Sequence, residues 1–393
     1  MRNNSPRKLL WVLLLALFWG ASAVLRAQDN PQSPQSSTQQ QNPNKQDAPA
    51  DSGGPTGDVG PYAIPKKKDE PPPPPPPEKP KKIEGMPDYS IKVDVPLVSV
   101  DVLVTTKDGQ FIPNLKKENF KVYEDGSPQT ITNFNQSAAP ITAVLLVEYA
   151  STNYNYMYEA LNASYNFAAT LKPEDWIAVV SYDMRPQILT DFTQDKRAVM
   201  GALNQLRIPG FSERNLFDAL YDTIDRIETI DGRKYIILVS TGRDTFSKLN
   251  LDQILKKLKN TQNVTIYAIS IGRALREYLE ARMGGGGGLI TTDWLQADNQ
   301  MNTFAHMTGG RAYFPRFDGE LPEIFKDIGT DIRNQYTLAY HPTNSKLDGS
   351  YRKLKVELTA PDGGPLKVKD QKGHDVKVQI YAREGYTAKH QVE

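Results

Sequence analysis

The sequence predicts an α/β fold, a doubly wound and mostly parallel sheet, inserted in or flanked by an antiparallel β-sandwich. Three observations predict it. Near-continuous apolar runs occupy Ala143–Val147, Ile177–Val180, Tyr235–Val239 and Val264–Ile269. Strands covered by helices on both faces have this composition. Amphipathic helical patterns separate the runs, and strand–helix alternation indicates a doubly wound sheet. On one side, in residues 89–135, apolar residues recur with period 2, as half-buried antiparallel strands require, and from Tyr336 onward the chain returns to β segments with turn signals between them.

Taken from the N-terminus, residues 1–27 read as a signal peptide. Arg2, Arg7 and Lys8 precede the apolar run Leu9–Phe18, and Ala21-Ser22-Ala23 offers a cleavage site, with Ala27 a second candidate. The run is short for a membrane span, which needs about 20 residues; a retained anchor is the alternative. Export is expected in either case, to the periplasm, surface or surroundings of a bacterium. Residues 28–87 carry no hydrophobic period, and Pro71–Pro77 are uninterrupted prolines flanked by lysines. Too little apolar surface is present to offset chain entropy, so a disordered linker is expected. It serves as a spacer, or as a basic arm that contacts an anionic envelope polymer or a reader of proline helices.

Residues 88–139 form the first part of the predicted sandwich. Ile91, Val93 and Val95, then Val98, Val100, Val102 and Val104, alternate with polar residues, while Lys107–Gln110 and Glu124–Gly126 are turn signals. Residues 140–335 form the α/β domain. Its expected helices carry Met157, Leu161, Tyr165, Ala168 and Leu171; Val199, Leu203 and Leu206; Leu216, Leu220, Ile224 and Ile227; and Leu251, Leu255 and Leu258. Arg273–Arg282 reads as a helix and Gly284–Gly288 as a mobile loop. A helix at Asn302–His306, a strand at Arg311–Phe314 and a helix at Leu321–Ile332 complete the domain. Residues 336–387 return to β and supply the second part of the sandwich; 388–393 are a tail. Neither β segment has enough strands for a core alone, so both are expected to share one sandwich.

The chain has 393 residues, with 47 Lys+Arg against 46 Asp+Glu and a net charge of +1. That balance creates no general field for nucleic acid. Cysteine is absent, which excludes disulfides, zinc-thiolate sites, cysteine nucleophiles and a lipidated cysteine.

About half of the chain resembles a von Willebrand factor type A domain, a Rossmann-like fold. The resemblance rests on Val144–Val147, on Leu171-Lys172-Pro173-Glu174-Asp175-Trp176 with the following Ile177–Tyr182, on Asn215–Leu220, and on Ile236–Asp244. Leu115–Gly126, Tyr351–Val356 and Ala382–Tyr386 resemble the VWFA-related acidobacterial group. Such domains grip one divalent cation with an Asp-x-Ser-x-Ser turn, a Thr and an Asp. The matching positions here read Glu148-Tyr149-Ala150-Ser151-Thr152, then Arg214, then Thr241. A hard cation requires oxygen ligands, some of them anionic. Glu148 keeps a carboxylate but is one methylene longer. Ala150 offers no oxygen, Thr152 keeps a hydroxyl, Arg214 brings a cation and Thr241 replaces a carboxylate. No metal and no cofactor are therefore expected. Arg214 either stands in for the ion by bridging to Glu148, or both side chains face solvent. Asp183, Arg185, Arg243 and Asp244 belong to the same face, as part of a binding surface or as solvated loop charges.

No H-E-x-x-H, G-x-S-x-G or Walker loop occurs. The histidines are His306, read as packed or capping, and His341, His374 and His390, read as a turn and exposed segments. No nucleophile–base constellation is present, and an enzyme is not expected. The expected function is an exported envelope protein that binds an unknown protein or polymer through a metal-independent type A domain. The rivals are a cation-dependent adhesin and a membrane-tethered scaffold.

Overall fold

The central strand of the α/β sheet, β5 (Ile141–Glu148), is buried along its whole length. A computed structural model describes residues 96–136, 139–151, 164–165, 167–206, 210–283, 288–369 and 373–390. All fall in one unit, Asp88–Glu393. The segments read as signal peptide and linker, with the strand residues Ile91, Val93 and Val95, lie outside the described residues.

Beside β5 lie β6 (Trp176–Tyr182) and β8 (Arg233–Ser240), then β9 (Val264–Ser270) and β10 (Ala312–Tyr313), all parallel. The order is β10-β9-β8-β5-β6-β7. Successive side chains of β5 enter opposite cores: Ile141, Ala143, Leu145 and Val147 one, Val144 and Leu146 the other. Alternation across a strand buried on both faces is why the run reads as continuously apolar. The first core is completed by α1 (Lys196–Gln205) through Val199 and Leu203 and by α6 (Leu321–Arg333) through Leu321, Phe325, Ile328 and Ile332. The second holds α2 (Leu216–Ile227), α3 (Leu251–Asn260) and α5 (Gly288–Thr308). Asp175 locks the entry to this sheet. Its carboxylate accepts the Ile141 N–H at 3.0 Å and the Lys172 N–H at 2.6 Å, and pairs with Arg333.

The sheet is mostly parallel, as expected, and two features go beyond the pattern read from the sequence. The sheet is mixed: β7 (Pro186–Thr193) is an antiparallel edge strand with no fully buried residue, and for that reason carries little hydrophobic period. Helix α4 (Gly272–Met283) forms as read, but α5 begins at Gly288, well before the expected Asn302. Trp294, Ala297, Met301, Phe304 and Ala305 are buried at spacings of three and four, so one helix face continues through the interval. Residues 284–287, most of the glycine run, lie outside the described residues, as do Met157 and Leu161.

Both β flanks contribute to two further sheets. One has the order β15-β1-β11-β4 and the other β16-β12-β2-β3. β1 (Val98–Thr106), β2 (Phe120–Glu124), β3 (Ser127–Gln129) and β4 (Ile131–Gln136) precede the α/β sheet. β11 (Tyr336–Tyr340), β12 (Tyr351–Leu358), β15 (Val378–Ala382) and β16 (Gly385–Thr387) follow it. Between β12 and β15 lies the short pair β13 (Val368–Lys369) and β14 (Asp375–Val376). β1 is bonded on one edge to β11 and on the other to β15, while β2 pairs with β12. A third core joins Val100, Val102, Val104, Tyr336 and Leu338 of one sheet to Phe120, Val122 and Leu354 of the other. The ring centroids of Phe120 and Tyr336 lie 5.3 Å apart across it. The β2–β3 turn uses Asp125 at φ 48° and Gly126 at φ 82°, two positive values that suit the twist of a tight hairpin.

Candidate functional site

Parallel register brings the carboxyl ends of β5 and β8 side by side, with Val147 opposite Val239. Glu148 closes β5 and Thr241 follows β8, so the topology alone places a carboxylate beside a hydroxyl. Arg214 arrives from the loop before α2. Its N–H donates to Thr245 Oγ1 at 2.9 Å, and its carbonyl accepts the N–H groups of Thr245 and Phe246, both at 2.9 Å. Those bonds hold the backbone while the side chain reaches inward.

Arg214 Nε donates to Glu148 Oε1 at 2.6 Å. The expected carboxylate–guanidinium contact is therefore present, and it is buried: Arg214 is 5% exposed and Glu148 0%. Glu148 Oε2 accepts Ser240 Oγ at 2.8 Å and the Thr241 N–H at 2.8 Å, and the Thr241 hydroxyl lies at 3.0 and 2.9 Å from the two oxygens. Behind Ser240, the Tyr182 hydroxyl donates to Ser240 Oγ at 2.9 Å, as does the Gly242 N–H at 2.9 Å. Burial, and then the Glu148 charge, push the Tyr182 hydroxyl well above its ordinary value, so it stays a neutral donor.

The other sequence-marked residues divide. Ala150 and Thr241 are fully buried; with Glu148 they form a sealed layer and offer a ligand no surface. Thr152 lies outside the described residues. Asp183 is half-buried; its carbonyl accepts the Asn215 N–H at 2.9 Å and its carboxylate the Arg185 N–H at 3.2 Å. Asp244 is bonded to the start of α2 and within its own loop. It accepts the Phe217 N–H at 3.3 Å in the first turn of α2, and the Ser247 hydroxyl at 2.5 Å. Burial raises its carboxyl above the usual range. Arg243 lies over the Trp294 ring, 5.1 Å from its centroid. Among the histidines, His306 is exposed rather than packed, with its ring 6.3 Å from that of Tyr381.

Sequence reasoning missed Ser240 and Tyr182, the hydroxyls that complete the network. Their one signal is position, since each is a polar residue ending an apolar run. It also missed Phe211 and Phe246, which are 51% and 54% exposed. Phe211 accepts the Ser151 N–H through its carbonyl, so both aromatics stand on loops bonded directly to the site.

The donor set does not fit a divalent cation. Glu148 is engaged by a guanidinium and three further donor groups. Among the described residues no group of three or more His, Cys, Asp or Glu is arranged to hold a metal ion.

Residues 144–292 match the model of the von Willebrand factor type A domain, and this segment is a domain of that family. No curated protein matches the chain. Among solved structures, the von Willebrand factor domain of the type V pili tip protein Mfa5 from Porphyromonas gingivalis aligns at 12% identity over 50% of this chain and 96% of that one, with a TM-score of 0.36. A von Willebrand factor type A protein from Catenulispora acidiphila aligns at 13% identity over 70% and 76%, with a TM-score of 0.40. A mutant of the PilB minor pilin from Streptococcus sanguinis aligns at 9% identity over 51% and 62%, with a TM-score of 0.37. No partner for this chain follows from alignments this distant.

Proposed function

We propose that this chain is an exported, non-enzymatic interaction protein whose type A domain binds a protein or envelope polymer without a metal ion. One observation carries the reading: the buried Glu148 carboxylate is bonded to the Arg214 guanidinium at 2.6 Å, which supports a fixed protein cation standing in for the family's metal ion. Phosphate- and carboxylate-type oxygens match guanidinium geometry well, and burial keeps water from competing. The surface offered to the partner is then the rim, formed by Phe211, Phe246, Asp183, Arg185 and Arg243 around the sealed pair. Exposed aromatics beside charged groups are what interface hot spots use. Domain limits of 140–335 for the type A domain and a sandwich shared by both flanks accompany this reading.

Calorimetric titration with magnesium, calcium and manganese tests it. No saturable heat is expected at millimolar concentration. Heat that saturates and is lost in Glu148→Ala would favour the cation-dependent adhesin. Crosslinking capture from a native bacterial envelope should retain a partner that is lost when Phe211 and Phe246 are both changed to Ser.

A further inference from the structure

At the amino ends of the parallel strands, on the side of the sheet away from Glu148, a cleft of about 100 Å³ opens where the loop before β9 meets the β flanks. Lys346, Arg352, Arg383 and Lys389 all line it, and no carboxylate does. The rest of the lining is largely apolar, with Leu97 and Tyr386 among it.

Arg352 makes this more than a basic patch. It is 2% exposed. One guanidinium nitrogen donates to Glu124 Oε1 at 3.1 Å, and the same fork bonds the carbonyls of Asn344 and Lys346. Glu124 is itself saturated by the hydroxyls of Tyr340 at 2.7 Å and Tyr386 at 2.8 Å. The Arg352 guanidinium also interacts with the Tyr386 hydroxyl, and its buried Nε–H has no acceptor in good geometry. Arg383 donates to the carbonyls of Gly385 at 2.9 Å and Thr261 at 2.7 Å. Its burial pulls the guanidinium below its ordinary value. Glu124 thus balances Arg352 and the Asp101 charge acts on Arg383, while no carboxylate in the lining meets the exposed Lys346 and Lys389.

We propose that this cleft binds a carboxylate carried on an apolar body, the chemistry of a peptide's terminal residue or of an N-acylated amino acid. The exposed Lys346 and Lys389 receive the carboxylate, and the apolar lining receives the side chain. A ligand seated there touches both the loop before β9 and the β flanks. The top-face reading does not depend on it.

The test is a calorimetric titration of the whole chain with N-acetyl-L-leucine, its amide and sodium sulfate. Saturable binding of the acid is expected, with the amide at least about tenfold weaker, as loss of a charge-assisted contact implies. The exposed pair Lys346→Gln and Lys389→Gln together should weaken the acid by about tenfold and leave the melting temperature unchanged. Equal binding of acid and amide, absence of saturation, or binding insensitive to the lysine pair overturns the proposal. Sulfate that binds as tightly as the acid also overturns it, by making the cleft a general anion site.

Discussion

At Glu148 a carboxylate with no exposed surface is stable only because every lone pair is spoken for. Removing one partner is therefore costly. Arg214→Ala should destabilise the protein by about 3–5 kcal/mol, because it leaves an uncompensated buried charge. Urea denaturation with the Glu148→Gln and double variants measures the coupling. A loss near that of an exposed ion pair, roughly 0–1 kcal/mol, would show that the network relaxes around water and that the sealed-site reading is wrong. This pairing was legible in the sequence because two departures from one ligand set, a lengthened acid and a new cation, were complementary in charge and reach. Ser240 and Tyr182 were not. A hydroxyl at a strand end says nothing about which side chain it faces until register is known.

Helix α5 shows how a period can be hidden. The glycine run and the polar Thr291, Thr292 and Asp293 dilute its apolar face, which emerges only once Trp294 and Ala297 are placed in line with Met301 and Phe304. That helix presses on Gly242, which sits at φ +75° with Ala297 O 2.7 Å and Met301 Cγ 2.8 Å from where a Cβ would stand. Gly242→Ala meets both a disfavoured conformation and a clash. The expected loss is about 1–3 kcal/mol, with weaker partner capture, since Gly242 follows Thr241 directly. Thermal melting together with the capture assay checks this; unchanged melting would mean α5 shifts freely.

On α6, Asp331 is buried beside Arg311, whose Nη1 lies 2.7 Å from it. Burial outweighs the guanidinium and pushes the Asp331 carboxyl up to about 6. A folded-state value above the unfolded one means the native chain holds this proton longer. The contribution is full below the unfolded value, near pH 4, and is lost as pH rises through about 6, by at most roughly 3 kcal/mol. Stability measured between pH 4 and 6 should fall more steeply with rising pH in the native chain than in Asp331→Asn. Parallel curves would place the charge elsewhere.

Across the molecule, the two β flanks are bonded to each other in both of their four-stranded sheets. β1 is bonded on both edges by strands that follow the α/β sheet. Deleting 336–390 should therefore unfold residues 96–136, seen as rapid cleavage there in limited proteolysis; lasting protection would mean the first flank forms its own core. The shared arrangement was legible from strand supply alone, because β segments too few to stand separately lay at both ends of a self-contained pattern. What could not be read was which strand bonds which. Pairing depends on the position of β1 between β11 and β15, and no local pattern encodes a neighbour so far along the chain.

That position of β1 also sets an order in time. Asp101 and Thr337, joined by a 2.6 Å hydrogen bond, are 236 residues apart in sequence. At synthesis rates of about 5–20 residues per second, the first waits on the order of ten to fifty seconds for the second. Throughout that interval the valine-rich strand lacks both of its strand partners and has only the local bridge of Thr105 to Phe111, whereas the intervening sheet can close from nearby segments. The vulnerable stage in the life of this protein is thus its manufacture. A holding chaperone, or passage across a membrane before the last strands arrive, would matter more to its yield than any single contact in the finished fold.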